Sequence, residues 1–89
     1  MQFVGFWEYD PKDMEEISEI MSKCESGLEF IFGPVSIGGQ HKGFTIFETD
    51  YIDKITTYVA HYAPLVDFTV YPLVKASEFF EKYMRKHGE

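Results

Sequence analysis

A chain of 89 residues makes a single domain, residues 1–89, near the lower size at which one core sustains itself, and leaves no room for a second. Its 45% hydrophobic and 18% aromatic content excludes a disordered segment and exceeds what so small a monomer readily buries, so a partner chain is expected. The formal net charge of −7 argues against nucleic acid and against anionic membrane surfaces, both of which call for a basic face.

The first element is Phe3-Val4-Gly5-Phe6-Trp7-Glu8-Tyr9. It is an almost unbroken apolar run with no polar face, which predicts a central strand covered on both sides. Asp10-Pro11-Lys12-Asp13 then supplies an N-cap acid, a proline at the first helical position and a further acid, so a helix starts there. Met14, Ile17, Met21 and Cys24 recur at helical spacing, with Asp13, Glu15, Glu16 and Glu19 between them. The pattern gives one buried stripe and one acidic face, and Gly27 is placed to end the helix.

Leu28 to Ile37 and Gly43 to Glu48 are rich in β-branched and aromatic residues and flank Gly38-Gly39. Two strands joined by a hairpin are predicted. Pro34 within the first of them places that strand at a sheet edge or a bulge. The glycines around His41 resemble a phosphate cradle, but no helix begins after them, and the anion reading loses its main support.

Ile52, Ile55, Tyr58, Val59 and Tyr62 mark a second helix, with Asp50 and Asp53 as cap and first turn. Pro64 blocks its continuation. Leu65 to Tyr71 reads as the last strand, with Val66, Phe68 and Val70 on one side and Asp67, Thr69 and Tyr71 on the other. Ala76 to Lys86 forms a third helix with Phe79, Phe80, Tyr83 and Met84 as its apolar residues.

The order βαββαβ plus a C-terminal helix predicts an α+β, ferredoxin-like antiparallel sheet with strands in the order 4-1-3-2. Helices on one face are expected to meet Val4, Phe6, Phe44, Ile46, Val66, Phe68 and Val70. The other face is expected to carry Phe3, Trp7, Tyr9, Thr45, Phe47, Asp67, Thr69 and Tyr71, too aromatic to leave in water, so a second copy stacked sheet on sheet is the expected cover.

With those residues in place the chain resembles a domain-of-unknown-function family of the dimeric α/β-barrel superfamily. The resemblance is carried by the strand into Asp10-Pro11, by Gly43-Phe44-Thr45-Ile46-Phe47-Glu48-Thr49-Asp50 and by Pro64-Leu65-Val66-Asp67-Phe68 with Pro72. It implies a fold and a homodimer and does not imply a reaction. Relatives in that superfamily include cofactor-free monooxygenases, haem-degrading enzymes and ligand-sensing regulatory domains.

The expected function is therefore that of a homodimeric α/β-barrel protein holding a small, partly apolar molecule between its sheets. A monooxygenase-like enzyme and a purely structural or regulatory dimer are the alternatives. The candidate ligand-binding residues are Trp7, Tyr9, His41, Thr45, Glu48, Asp67 and Tyr71, a few polar groups on an aromatic wall. Asp67, a carboxylate among apolar strand residues, is the candidate general base, set against a carboxylate hydrogen-bonded across the interface or simply exposed at a strand end. Trp7 and Tyr71 are set against the more common role of interface aromatics, and Glu48 against the more common role of a strand end leading into a helix.

No cofactor and no metal are expected, since His41, His61 and His87 lack ligand-motif spacing. The lone Cys24, in a helix's last turn beside Glu25, reads as a buried structural thiol and fits a reducing, cytoplasmic setting. Neither a signal peptide nor an 18-residue apolar span is expected.

Overall fold

A computed structural model describes residues 1–23 and 27–87. Its elements are β1 (Gln2–Tyr9), a 3-10 turn (Pro11–Asp13), α1 (Met14–Lys23), β2 (Glu29–Ser36), β3 (Lys42–Glu48), α2 (Ile52–Tyr62), β4 (Val66–Pro72) and α3 (Ala76–His87). The four strands form one antiparallel sheet in the order β2-β3-β1-β4, the predicted order read from the other edge. The expectation for Cys24 falls outside the described residues.

Local chemistry sets the element ends. The Asp10 carboxylate accepts the Lys12 N–H at 3.0 Å, satisfying one of the amides left unbonded at a helix start. At α2 the cap differs from expectation. Tyr51 occupies the N-cap without a side-chain bond, the Thr49 hydroxyl accepts the Tyr51 N–H at 3.1 Å, and Asp50 turns away to the N-terminal amine at 3.0 Å. Acidic and hydroxyl groups compete for the same turn, and here the amine draws the acid out of it.

β2 is an edge strand, as Pro34 requires, and its pairing with β3 shifts between Phe30 and Phe32 and again between Phe32 and Val35. Gly33 lies in this irregular stretch at φ 88°, and a Cβ there would stand 2.9 Å from the Phe44 carbonyl oxygen. Only glycine fits such a bulge. Across the same break the Thr45 hydroxyl donates to the Phe32 carbonyl oxygen at 3.1 Å.

The core lies between the sheet and helices α1 and α2. Phe3, Phe47 and Val66 from the strands meet Ile17, Ile55, Tyr58 and Tyr62 from the helices, with Phe47 at 1% exposure and Thr45 at 0%. The faces of β1 and β3 are thus the reverse of those expected. Phe3, Trp7, Tyr9, Thr45 and Phe47 look toward the helices, whereas Val4, Phe6, Phe44 and Ile46 look away; Val66, Phe68 and Val70 do face the helices.

Register explains the reversal. β1 pairs with β3 odd to odd, as in Phe3 with Phe47 and Trp7 with Gly43. It pairs with β4 odd to even, as in Gly5 with Val70 and Trp7 with Phe68. Grouping even residues of all three strands on one side therefore joins two sets that the hydrogen-bond ladder keeps apart.

Beyond Pro72 the chain leaves the sheet. Ala76 to Lys86 is exposed along its whole length, and the molecule measures 56 × 29 × 20 Å.

Candidate functional site

The helix-facing side of the sheet is not filled. A cavity of about 460 Å³ opens between β1, β2, β4 and the two covering helices. Trp7 and Tyr9 form its sheet wall, Met14, Ser18 and Met21 its α1 wall, and Tyr58 and Tyr62 its α2 wall.

Strand geometry places Trp7. Its partner across the ladder is Gly43, and a Cβ added to Gly43 would come 2.6 Å from Trp7 Cζ2. The indole lies over the bare backbone, where any side chain would lift it. Tyr9 stacks on it at 5.9 Å between ring centroids and 21° between planes. The His41 ring meets Tyr9 edge-on at 5.4 Å, while the Tyr9 N–H donates to the His41 carbonyl oxygen at 3.0 Å. On the far side Tyr58, Tyr62 and Phe68 pack edge to face with centroids 5.4–5.8 Å apart, a geometry that suits ring quadrupoles and holds the wall stiff.

The same indole carries one unusual polar atom. Trp7 Nε1 is buried and has no hydrogen-bond partner. Indole N–H groups ordinarily find an acceptor when taken out of water, and leaving one unpaired costs about 1–3 kcal/mol. None of the described residues lining the cavity is a His, Cys, Asp, Glu, Lys or Arg. The polar groups along the wall are the hydroxyl-bearing side chains Tyr9, Ser18, Ser36, Tyr58 and Tyr62.

The seven sequence-predicted site residues do not gather in one place. Trp7 and Tyr9 line the cavity and His41 stands behind Tyr9. Thr45 is on the same sheet face, fully buried and committed to the β2 break. Glu48 is exposed at the end of β3, 3.8 Å from the N-terminal amine. Asp67 and Tyr71 belong to the outward face: Asp67 is exposed opposite Glu8, and the Tyr71 ring meets Phe6 edge-on at 6.2 Å.

Met14, Met21, Tyr58 and Tyr62 were assigned only to helix stripes by the sequence, and Ser18 was not singled out at all. Glycine opposite tryptophan, once the register is known, is the signal that marks the cavity. Among the described residues no three His, Cys, Asp or Glu side chains gather as a metal site, and no helix is long and apolar enough to cross a membrane.

The outward face is a second unusual surface. Phe32 stacks on Phe44 at 5.9 Å, Phe44 meets Phe6 at 6.2 Å, and Phe6 meets Tyr71, so one aromatic row crosses all four strands, and none of the described elements covers it.

The family described as Domain of unknown function (DUF3303) matches residues 1–87. The chain belongs to that family. The match spans every strand and helix described above, including the cavity, the aromatic row and α3. No curated protein and no solved structure matches the chain.

Proposed function

We propose that this DUF3303 chain is a homodimeric binding protein for a small, neutral, ring-bearing molecule, with one cavity in each protomer. The observation that carries the reading is the cavity of about 460 Å³ walled by Trp7, Tyr9, Tyr58 and Tyr62. Cavities of roughly 300–1,000 Å³ with apolar walls and a few placed polar groups are the usual form of small-molecule sites.

The site lies between sheet and helices within one chain, where the sequence pointed to a space between two sheets. Sheet-to-sheet pairing of two copies, in the manner of a dimeric α/β barrel, is supported by the uncovered row Phe32–Phe44–Phe6–Tyr71, since an aromatic surface of this extent on a small domain gains from burial. A monooxygenase-like reaction through Asp67, Trp7 and Tyr71 draws no support from a single chain, because Trp7 stands on the opposite side of the sheet from the other two. The lone cysteine supports a reducing, cytoplasmic setting.

The test uses N-phenyl-1-naphthylamine, a neutral two-ring probe. Titrated into the protein, it should bind saturably at one molecule per chain and quench the emission of Trp7, the single tryptophan of the sequence. Ser18→Phe, which sends a ring into the cavity from α1, should abolish both effects in a variant whose circular dichroism is unchanged. Non-saturable binding, or full binding by Ser18→Phe, would refute the cavity as the site.

A further inference from the structure

The length of the molecule is set by its last helix. Pro72 closes β4, the Leu73 N–H donates to the Gln2 carbonyl oxygen at 2.8 Å, and the N–H groups of Glu78 and Phe79 both take the Lys75 carbonyl oxygen, at 3.0 and 3.1 Å. Only Val74 separates the pinned end of the sheet from the first turn of α3. The helix therefore departs from the sheet edge and does not fold back.

Two magnitudes show how much is left open. The radius of gyration is 16.0 Å, against about 12 Å for a compact chain of this length. The accessible surface is 6704 Å², whereas a folded monomer of 10.4 kDa exposes about 5,400 Å². The difference is roughly 1,300 Å², and each partner in a standard protein interface contributes about 800 Å².

Much of that open surface is apolar. Phe79, Phe80 and Met84 are 60%, 63% and 60% exposed, on a helix of 12 residues that would be marginal in water alone. Charge is divided in the same way: residues 1–74 hold twelve acids and four bases, whereas residues 75–89 hold three acids and four bases.

We propose that α3 is an exchanged arm, whose Phe79, Phe80 and Met84 pack on a second copy of this chain while the second copy's arm packs back. The inference rests on the homodimer proposed above and adds to it. The arm follows β4, an edge strand whose Tyr71 lies on the outward face, so it starts beside the surface on which a second copy would stack. An isologous pair buries both arms with one symmetry operation. Its arms also bring the less acidic segment of each chain against the strongly acidic body of the other, easing the repulsion between like-charged bodies.

The experiment compares the full chain with the full-length double variant F79Q/F80Q, by sedimentation equilibrium and by hydrogen exchange of the α3 amides across a concentration series. The wild type should be a dimer with α3 protected only where the dimer forms, and the variant's dissociation constant should rise at least 100-fold while the strand amides stay protected. A dimer in which α3 exchanges freely, or a variant that pairs as tightly as the wild type, would overturn the arm and leave the sheet pairing standing. Protection of α3 that is independent of concentration would mean that the helix folds onto its own chain, which also overturns the arm. A wild type that stays monomeric at hundreds of micromolar would overturn both the arm and the pair.

Discussion

Replacing Gly43 by alanine tests the packing that builds the cavity. A methyl at that position would sit within covalent-like range of the Val35 carbonyl oxygen, 2.8 Å from the Val35 carbonyl carbon and 2.6 Å from Trp7 Cζ2. The indole could swing away, but the Val35 carbonyl is backbone, so β2 and β3 must separate where Ser36 pairs with Gly43. Overpacking of cores costs about 1–3 kcal/mol, and a backbone obstacle places this case at about 3 kcal/mol. Against a total stability of about 4–13 kcal/mol for a domain of this size, that is a severe loss. The corresponding fall in Tm is roughly 12–24 °C. Gly39→Ala is the control: it has φ +72° with nothing within 4 Å of the added carbon, so its cost is the left-handed conformation alone, about 1 kcal/mol. Thermal melts followed by circular dichroism give the two Tm values, and the emission maximum of Trp7 reports the displaced ring. Equal melting of the two variants, with the Trp7 spectrum of G43A unchanged, would refute the close approach of indole and glycine.

Two further outcomes separate the faces of the sheet. Phe6→Lys puts a charge into the middle of the outward aromatic row; it should leave the protomer's fold intact and weaken pairing at least tenfold in sedimentation, because a charge in an interface core is left without water or a counter-charge. Asp67→Asn, an exposed change, should alter stability by less than about 0.5 kcal/mol in denaturant titration and leave naphthylamine binding at the wild-type level; loss of binding would place Asp67 at the ligand.

The edge position of β2 and the helix limits at Asp10 and Pro64 were legible in the sequence because each rests on a local signal, a proline or a cap, and the strand order followed from the succession of elements and the handedness of their crossovers. Which way β1 and β3 face was not legible. Both sides of β1 are apolar, Phe3 and Trp7 on one and Val4 and Phe6 on the other, so alternation gives no sign. Only the ladder decides, and the odd-to-even pairing with β4 is a nonlocal fact. The candidate site was legible in part for the same reason. Trp7 and Tyr9 were found as aromatics, but Asp67 and Tyr71 were joined to them by a parity that the sheet does not keep. The α1 and α2 walls went unassigned because Met14, Met21, Tyr58 and Tyr62 look like ordinary core stripes until a gap opens behind them.

The two pairing parities carry a lesson about how the chain can change length. One residue inserted within β1 would trade Phe3, Trp7 and Tyr9 for their neighbours along half the strand, emptying the cavity wall and the aromatic row at once. The same insertion in the hairpin at Gly38-Gly39, where an added carbon meets nothing within 4 Å, would move no strand out of step. Natural length variation in such chains should therefore collect at the hairpin tip and spare the first nine residues, which gives the register a signature readable by counting residues alone.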